Sequence, residues 1–219
     1  MRAFVLREAL VVARKPVLVT VAIVCAAFLA LFPAVWGIRG IPTLDGAGLY
    51  DQQFRLEWIL LLLLLPWTAA RVIADERAND LVILSTATAI LPSRVLLARL
   101  LATTAALTLV IGSALPVVIS AQQMSGTPLT RLIVDQLALM AFALPVAVVT
   151  GWWMQFAANR LLGWLGSAIT TVLLVLLARL AVATIDQAVI VLAVGAVGGA
   201  AILLNRADLW WRYLTEQAT

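Results

Sequence analysis

Two acidic side chains are the clearest candidates for specific binding in this sequence. Glu76 and Asp80 lie four residues apart, so on a helix they share one face, and two like charges at that spacing do not stabilise the helix. Such a pair favours a basic group supplied by another molecule. The alternative without a binding role is a solvated charged turn at a helix end, with Arg71 and Asp75 paired locally at the same spacing.

Four charged residues near the N-terminus form a second candidate binding stretch. These residues are Arg7, Glu8, Arg14 and Lys15. They lie on one side of a helical wheel, and the opposite side is apolar. This stretch could contact a partner protein, or it could hold a helix against anionic lipid head groups, at about 1 kcal/mol per basic residue. Both interpretations stay open, and they are compatible.

The residue inventory argues against catalysis by the chain alone. It contains no histidine and one cysteine, Cys25, so an intrachain disulfide is impossible and the usual metal and general-base chemistry is largely closed off. No G-x-x-x-x-G-K-[ST] phosphate loop is present, and the single lysine is Lys15. We therefore expect no enzyme activity and no catalytic, cofactor or metal site.

Composition indicates a membrane protein. Of 219 residues, 64% are hydrophobic and 12% are charged, and the mean hydropathy is +1.08. A soluble domain of this length has no interior large enough for so much apolar surface. The apolar runs are continuous and lack the alternation of barrel strands, which predicts an all-α, polytopic helix bundle.

Six apolar runs are long enough to be transmembrane helices, given that a span needs about 20 residues. The predicted spans are 17–37, 56–74, 95–121, 132–154, 161–184 and 188–204. Residues 38–54 are predicted to form a turn-rich loop, and residues 75–94 a cytoplasmic segment. No linker divides the chain, so residues 1–219 are expected to form a single domain.

The two ends of the chain are predicted to lie at the membrane surface. Residues 1–16 form an amphipathic interfacial helix that Pro16 interrupts. A cleaved signal peptide is the rival interpretation, but Phe32 stands where cleavage before Ala34 would need a small residue. Residues 205–219 form an amphipathic tail whose paired tryptophans suit the interface.

Basic residues predict the orientation. With the N-terminus in the cytoplasm, 11 of the 15 Lys and Arg residues lie inside, as the positive-inside rule demands. Both termini are then cytoplasmic. The formal charge of +4 does not indicate nucleic-acid binding, because the basic residues separate apolar runs and form no stripe.

Two stretches resemble the type-2 ABC exporter permeases, including small six-span members similar to haem exporters. The first is Leu6–Pro16, in which an Arg-Glu pair is followed by a basic residue and proline before the first span. The second is the polar segment after the second span, whose order of residues fits the family: Glu76, Arg77, Leu81, Ile83 and Leu84, then Val95, Leu96, Leu97, Arg99 and Leu100. The family's Gly-Thr is replaced by Asn79 and Asp80.

The resemblance implies a permease subunit of the inner (cytoplasmic) membrane that exports a hydrophobic, lipid-like or glycan-linked substrate. It also implies cytoplasmic P-loop ATPase partners, which carry ATP and Mg²⁺, and a second permease subunit, often a copy of the same chain. The residues it implies for ATPase coupling are Glu76, Arg77, Asp80, Leu81 and Leu84.

Two other functions remain open. One is a non-transporting scaffold or anchoring subunit of a larger complex. The other is a secondary transporter, which would be expected to need an ionisable residue at mid-membrane depth. Charged residues near the predicted outer span ends, such as Arg55, Glu57 and the pair Arg131 and Asp135, could line an exit path or simply snorkel to the interface.

Small residues in the sixth span predict close helix packing. Gly195 and Gly199 make a G-x-x-x-G step, which lets another backbone approach. Contact within the same subunit is the preferred interpretation over a dimer interface.

Overall fold

A computed structural model describes residues 14–38, 46–74, 92–156, 160–181 and 185–206. These residues form seven α-helices: α1 Pro16–Ile38, α2 Gly46–Ala74, α3 Pro92–Gly112, α4 Leu115–Ser125, α5 Leu129–Phe156, α6 Arg160–Ala181 and α7 Ile185–Asn205. No strand occurs within these ranges.

Four helices contain stretches long and apolar enough to cross a membrane: Gly48–Ile73, Leu129–Met154, Leu161–Leu180 and Gln187–Asn205. A fifth is made if α3 and α4 count as one span with a 40° bend, and α1 contributes a shorter apolar stretch, Pro16–Leu31. The chain is therefore an all-α protein with the helices of a multi-pass membrane protein.

The helix break between α3 and α4 falls inside the predicted span 95–121. α3 ends at Gly112, and α4 begins at Leu115 with Pro116 in its first turn. A proline ring in a continuous helix would clash with the carbonyl of the residue four positions earlier, which here is Gly112. The break between Gly112 and Leu115 avoids this clash, and the backbone changes direction there.

The second span begins earlier than predicted. Residues 46–54 belong to α2 rather than to a turn-rich loop, because the structure continues the helix back to Gly46. Tyr50, Gln53 and Phe54 are buried there, so tertiary packing stabilises helix in a segment whose glycines suggested turns.

α5 is the central helix of the bundle and contacts α2, α3, α4, α6 and α7. Of its apolar stretch 61% is buried, compared with 22% for α7. The main core lies between α2, α3 and α5 and includes Leu65, Leu107 and Phe142. The outer faces of α6 and α7 remain exposed, as expected for surfaces that contact lipid.

Contacts between helices define two ends of the bundle. Lys15 and Val72 meet at one end, which we call the N-terminal end. Leu29, Tyr50 and Leu132 meet at the other, which we call the far end. Successive helices therefore run up and down between the two ends.

Candidate functional site

A cluster of polar side chains lies between α2 and α5, towards the far end. We call it the polar cluster, and its members are Tyr50, Asp51, Gln53, Glu57, Arg131, Asp135 and Gln136. Asp51 and Arg131 reach solvent, whereas the other five members are buried and depend on their neighbours for hydrogen bonds.

Arg131 organises the part of the cluster nearest the far end. Its Nη2 lies 2.5 Å from Asp51 Oδ1 and its Nε lies 3.8 Å from Asp135 Oδ2. The Tyr50 hydroxyl donates to the same Asp135 oxygen at 3.0 Å, and the guanidinium lies 5.7 Å from the Tyr50 ring centroid. The pairing of Arg131 with Asp135, suggested by their four-residue spacing, is present.

Glu57 and Gln136 form the deeper part of the cluster. Gln136 Nε2 donates to Glu57 Oε2 at 2.9 Å, and Glu57 is only 1% exposed. One turn earlier on α2, Gln53 Nε2 donates to the carbonyl oxygen of Leu29 at 3.2 Å. These two bonds link α2 to α5 and to α1.

The sequence predicts that Glu57 lies at the outer mouth of the second span, and the structure shows that its side chain is buried between helices and bonded to Gln136 of α5. It belongs to the apolar stretch Gly48–Ile73, and at 1.5 Å per residue it lies about 14 Å along the helix from Gly48. Arg55 is on the exposed face of the same helix.

The N-terminal end carries a second group of interacting residues. Lys15 Nζ donates to the Val72 carbonyl at 3.0 Å, joining the start of α1 to the last turn of α2. The Arg71 guanidinium lies 5.5 Å from the Trp67 ring centroid. A cavity of about 230 Å³ opens beside these residues, between α2 and α6, and Trp164 forms part of its wall.

The structure describes only some of the residues singled out in the sequence. Arg7, Glu8 and all five candidate coupling residues, Glu76, Arg77, Asp80, Leu81 and Leu84, lie outside the described ranges. Arg14 is exposed and Lys15 is half-buried at the N-terminal end.

The two glycines of the sixth apolar run differ in their surroundings. A methyl group at Gly199 would lie 3.4 Å from Val148 Cγ1 of α5, whereas one at Gly195 would meet no atom within 4 Å. Both glycines line an apolar groove of about 390 Å³ formed by α5, α6 and α7. The close approach at Gly199 is therefore a contact within one chain.

Sequence reasoning missed Gln53, Tyr50 and Gln136 as members of a site. One signal was available, because Gln53 and Glu57 are four residues apart and would share a helical face. The signal that Gln136 completes the pair was absent, since no local spacing connects α2 with α5.

Apolar helices packed around buried polar side chains define the class of this chain as a multi-pass helical membrane protein. Its particular family is not shown: a comparison with protein-family models found no match. Comparisons with curated proteins and with solved structures found none either.

Proposed function

We propose that this chain is the membrane-spanning subunit of an ATP-driven exporter. Six spans would cross the membrane, with α1 as the first and the bent pair α3 and α4 as the third. The observation that best supports the proposal is the bond between Lys15 and the Val72 carbonyl. It joins Lys15, from the first stretch that resembles exporter permeases, to the last turn of α2, which directly precedes the second stretch in the chain.

This geometry suits a single cytoplasmic partner. The Leu6–Pro16 stretch leads into the N-terminal end, and residues 75–91 connect the helices α2 and α3, both of which have a terminus at that end. One ATPase subunit docked there could contact both stretches and transmit movement to α2. ATP and Mg²⁺ would bind to the partner, and a second copy of this chain would complete the pathway.

The positive-inside rule supports a cytoplasmic location for the N-terminal end. Basic residues are more numerous there than at the far end, where Arg55, Arg131 and Arg179 are found. The inner membrane is the location proposed with this orientation. The apolar groove beside Gly195 supports a hydrophobic or lipid-like substrate, because its lining carries no charged side chain among the described residues.

Reversing both charges of the Glu76 and Asp80 pair is expected to abolish assembly with the ATPase. The acidic pair is expected to contact a basic group on the ATPase. In Glu76→Arg with Asp80→Arg, that basic group would meet two like charges, which costs several kcal/mol. The measurement is affinity purification of the tagged chain in mild detergent, with mass spectrometry of partners and an ATPase assay. A P-loop partner should be recovered with the natural chain and lost with the variant.

The matched control reverses two acidic residues of the C-terminal tail, Asp208→Arg with Glu216→Arg, and so makes the same change in net charge. This control should retain the ATPase. Undiminished recovery of the ATPase with the Glu76 and Asp80 variant would refute the coupling role. Recovery of other membrane subunits in place of any P-loop protein would favour the scaffold function.

Ion-coupled secondary transport is a second candidate, and one specific observation favours it. Glu57 is a buried ionisable residue on a helix long and apolar enough to cross a membrane. Such a transporter is expected to need an ionisable residue within a span, and the central portions of the first, third and sixth predicted spans have none. Substrate uptake into vesicles driven by an ion gradient without ATP would distinguish this function from the exporter.

A further inference from the structure

Among the residues that the structure describes, three buried side chains of the polar cluster each have one oxygen without a hydrogen-bond partner. These oxygens are the Oε1 atoms of Gln53, Glu57 and Gln136. The three residues are 0%, 1% and 3% exposed, respectively. Leaving a buried acceptor unsatisfied costs about 1–3 kcal/mol, and more for a charged group, so three on two helices packed against each other require an explanation.

The hydrogen bonds of the two amides fix these oxygens as acceptors. Gln136 donates its Nε2 to the Glu57 carboxylate, and rotating the amide by 180° would place its oxygen against another oxygen. Gln53 likewise donates its Nε2 to the Leu29 carbonyl. The remaining atoms therefore form an acceptor-only set, with no donor of their own to satisfy them.

The acidic residues of the cluster differ in how their charges are balanced. Arg131 directs its two contacts at Asp51 and Asp135, and Asp51 also reaches solvent, with 42% of its side chain exposed. Within the described parts of the chain, the neutral amide of Gln136 is the one hydrogen-bond donor to Glu57. Burying a carboxylate in apolar surroundings is costly unless an opposite charge accompanies it.

We propose that Gln53, Glu57 and Gln136 bind a small monovalent cation such as Na⁺. Oxygen atoms of carboxylates and amides are the ligands that hard cations prefer, and one carboxylate among neutral oxygens balances a single positive charge.

The bound cation would hold together three helices of the bundle. Gln53 and Glu57 belong to α2 and Gln136 to α5, and Gln53 is already bonded to the Leu29 carbonyl of α1. The site therefore predicts that Na⁺ stabilises the folded chain, whichever transport function the protein has. No partner subunit is needed to test it.

The test is thermal unfolding of the purified full chain in detergent, followed by tryptophan fluorescence. Buffers with NaCl are compared with N-methyl-D-glucamine chloride at equal ionic strength and pH. At Na⁺ about a hundredfold above its Kd, Tm is expected to rise by roughly 5 °C with a saturating dose dependence. Glu57→Gln should remove this rise, and Asp208→Asn, which makes the same change in net charge in the C-terminal tail, should keep it.

Direct binding of ²²Na⁺ to the natural chain provides a measurement that does not depend on any variant folding. Saturable binding that competes with excess unlabelled Na⁺ is expected. The proposal is overturned if Tm is the same in both salts and no ²²Na⁺ binds. It is also overturned if Tm responds to pH but not to Na⁺, because a proton on Glu57 would then satisfy the cluster.

Discussion

Replacing Gln136 by leucine is expected to lower the free energy of unfolding by about 2–3 kcal/mol, because the buried Glu57 carboxyl group loses its hydrogen-bond donor. Glu57 is 1% exposed, so water cannot take the place of the amide. The measurement is the unfolding midpoint in detergent. Gln123→Leu provides the matched control, since Gln123 lies on the exposed face of α4 and the same change there should have little effect.

The double variant Gln136→Leu with Glu57→Leu should recover much of this loss. Replacing a buried polar pair by apolar residues of similar volume is often neutral or stabilising, whereas removing one partner is not. Recovery in the double variant would show that the cost comes from the unpaired carboxyl group. A single variant as stable as the natural chain would contradict the buried pair.

Replacing Gly151 by leucine is expected to be the most damaging apolar substitution, at about 3 kcal/mol. A methyl group at this position would already lie 3.3 Å from Leu100 Cδ2 and 3.4 Å from Leu203 Cδ2. These contacts come from α3 and α7, so three helices meet at one glycine. The larger leucine side chain must push at least one of them away.

Gly198→Leu supplies the control for this prediction. A methyl group at Gly198 would meet no atom within 4 Å, and this position is exposed, so the variant should fold and unfold like the natural chain. Both variants are to be compared by folded yield and by thermal unfolding in detergent. Equal stability of the two variants would show that α3, α5 and α7 do not pack closely at Gly151.

Both predictions concern α5, which explains their size. This helix contacts α2, α3, α4, α6 and α7. Its buried polar groups extend along its length, from Gln136 near the far end to Thr150, whose hydroxyl lies 2.6 Å from that of Ser167 on α6. A change on α5 therefore disturbs several interfaces at once. Changes on the exposed faces of α6 and α7 disturb mainly contacts with lipid.

The sequence alone indicates the helical membrane class, because that class depends on the summed hydropathy of successive residues. Long runs of apolar residues must bury their backbone polar groups within themselves, and only a helix does so along a single segment. The predicted runs 132–154, 161–184 and 188–204 accordingly agree with α5, α6 and α7 to within a few residues. Hydropathy does not distinguish between an exporter, a scaffold and a secondary transporter, so the exporter function stays a proposal.

Tertiary structure decided the start of α2, the break between α3 and α4, and the polar cluster. The glycines near Gly46 suggest turns when only neighbours along the chain are considered, yet burial of Tyr50 and Phe54 stabilises helix there. Glu57 and Gln136 are 79 residues apart in the chain, and neither residue's local pattern indicates the other. Hydropathy is a property of successive residues, whereas a buried hydrogen bond depends on which two helices become neighbours and on the rotation of each about its axis.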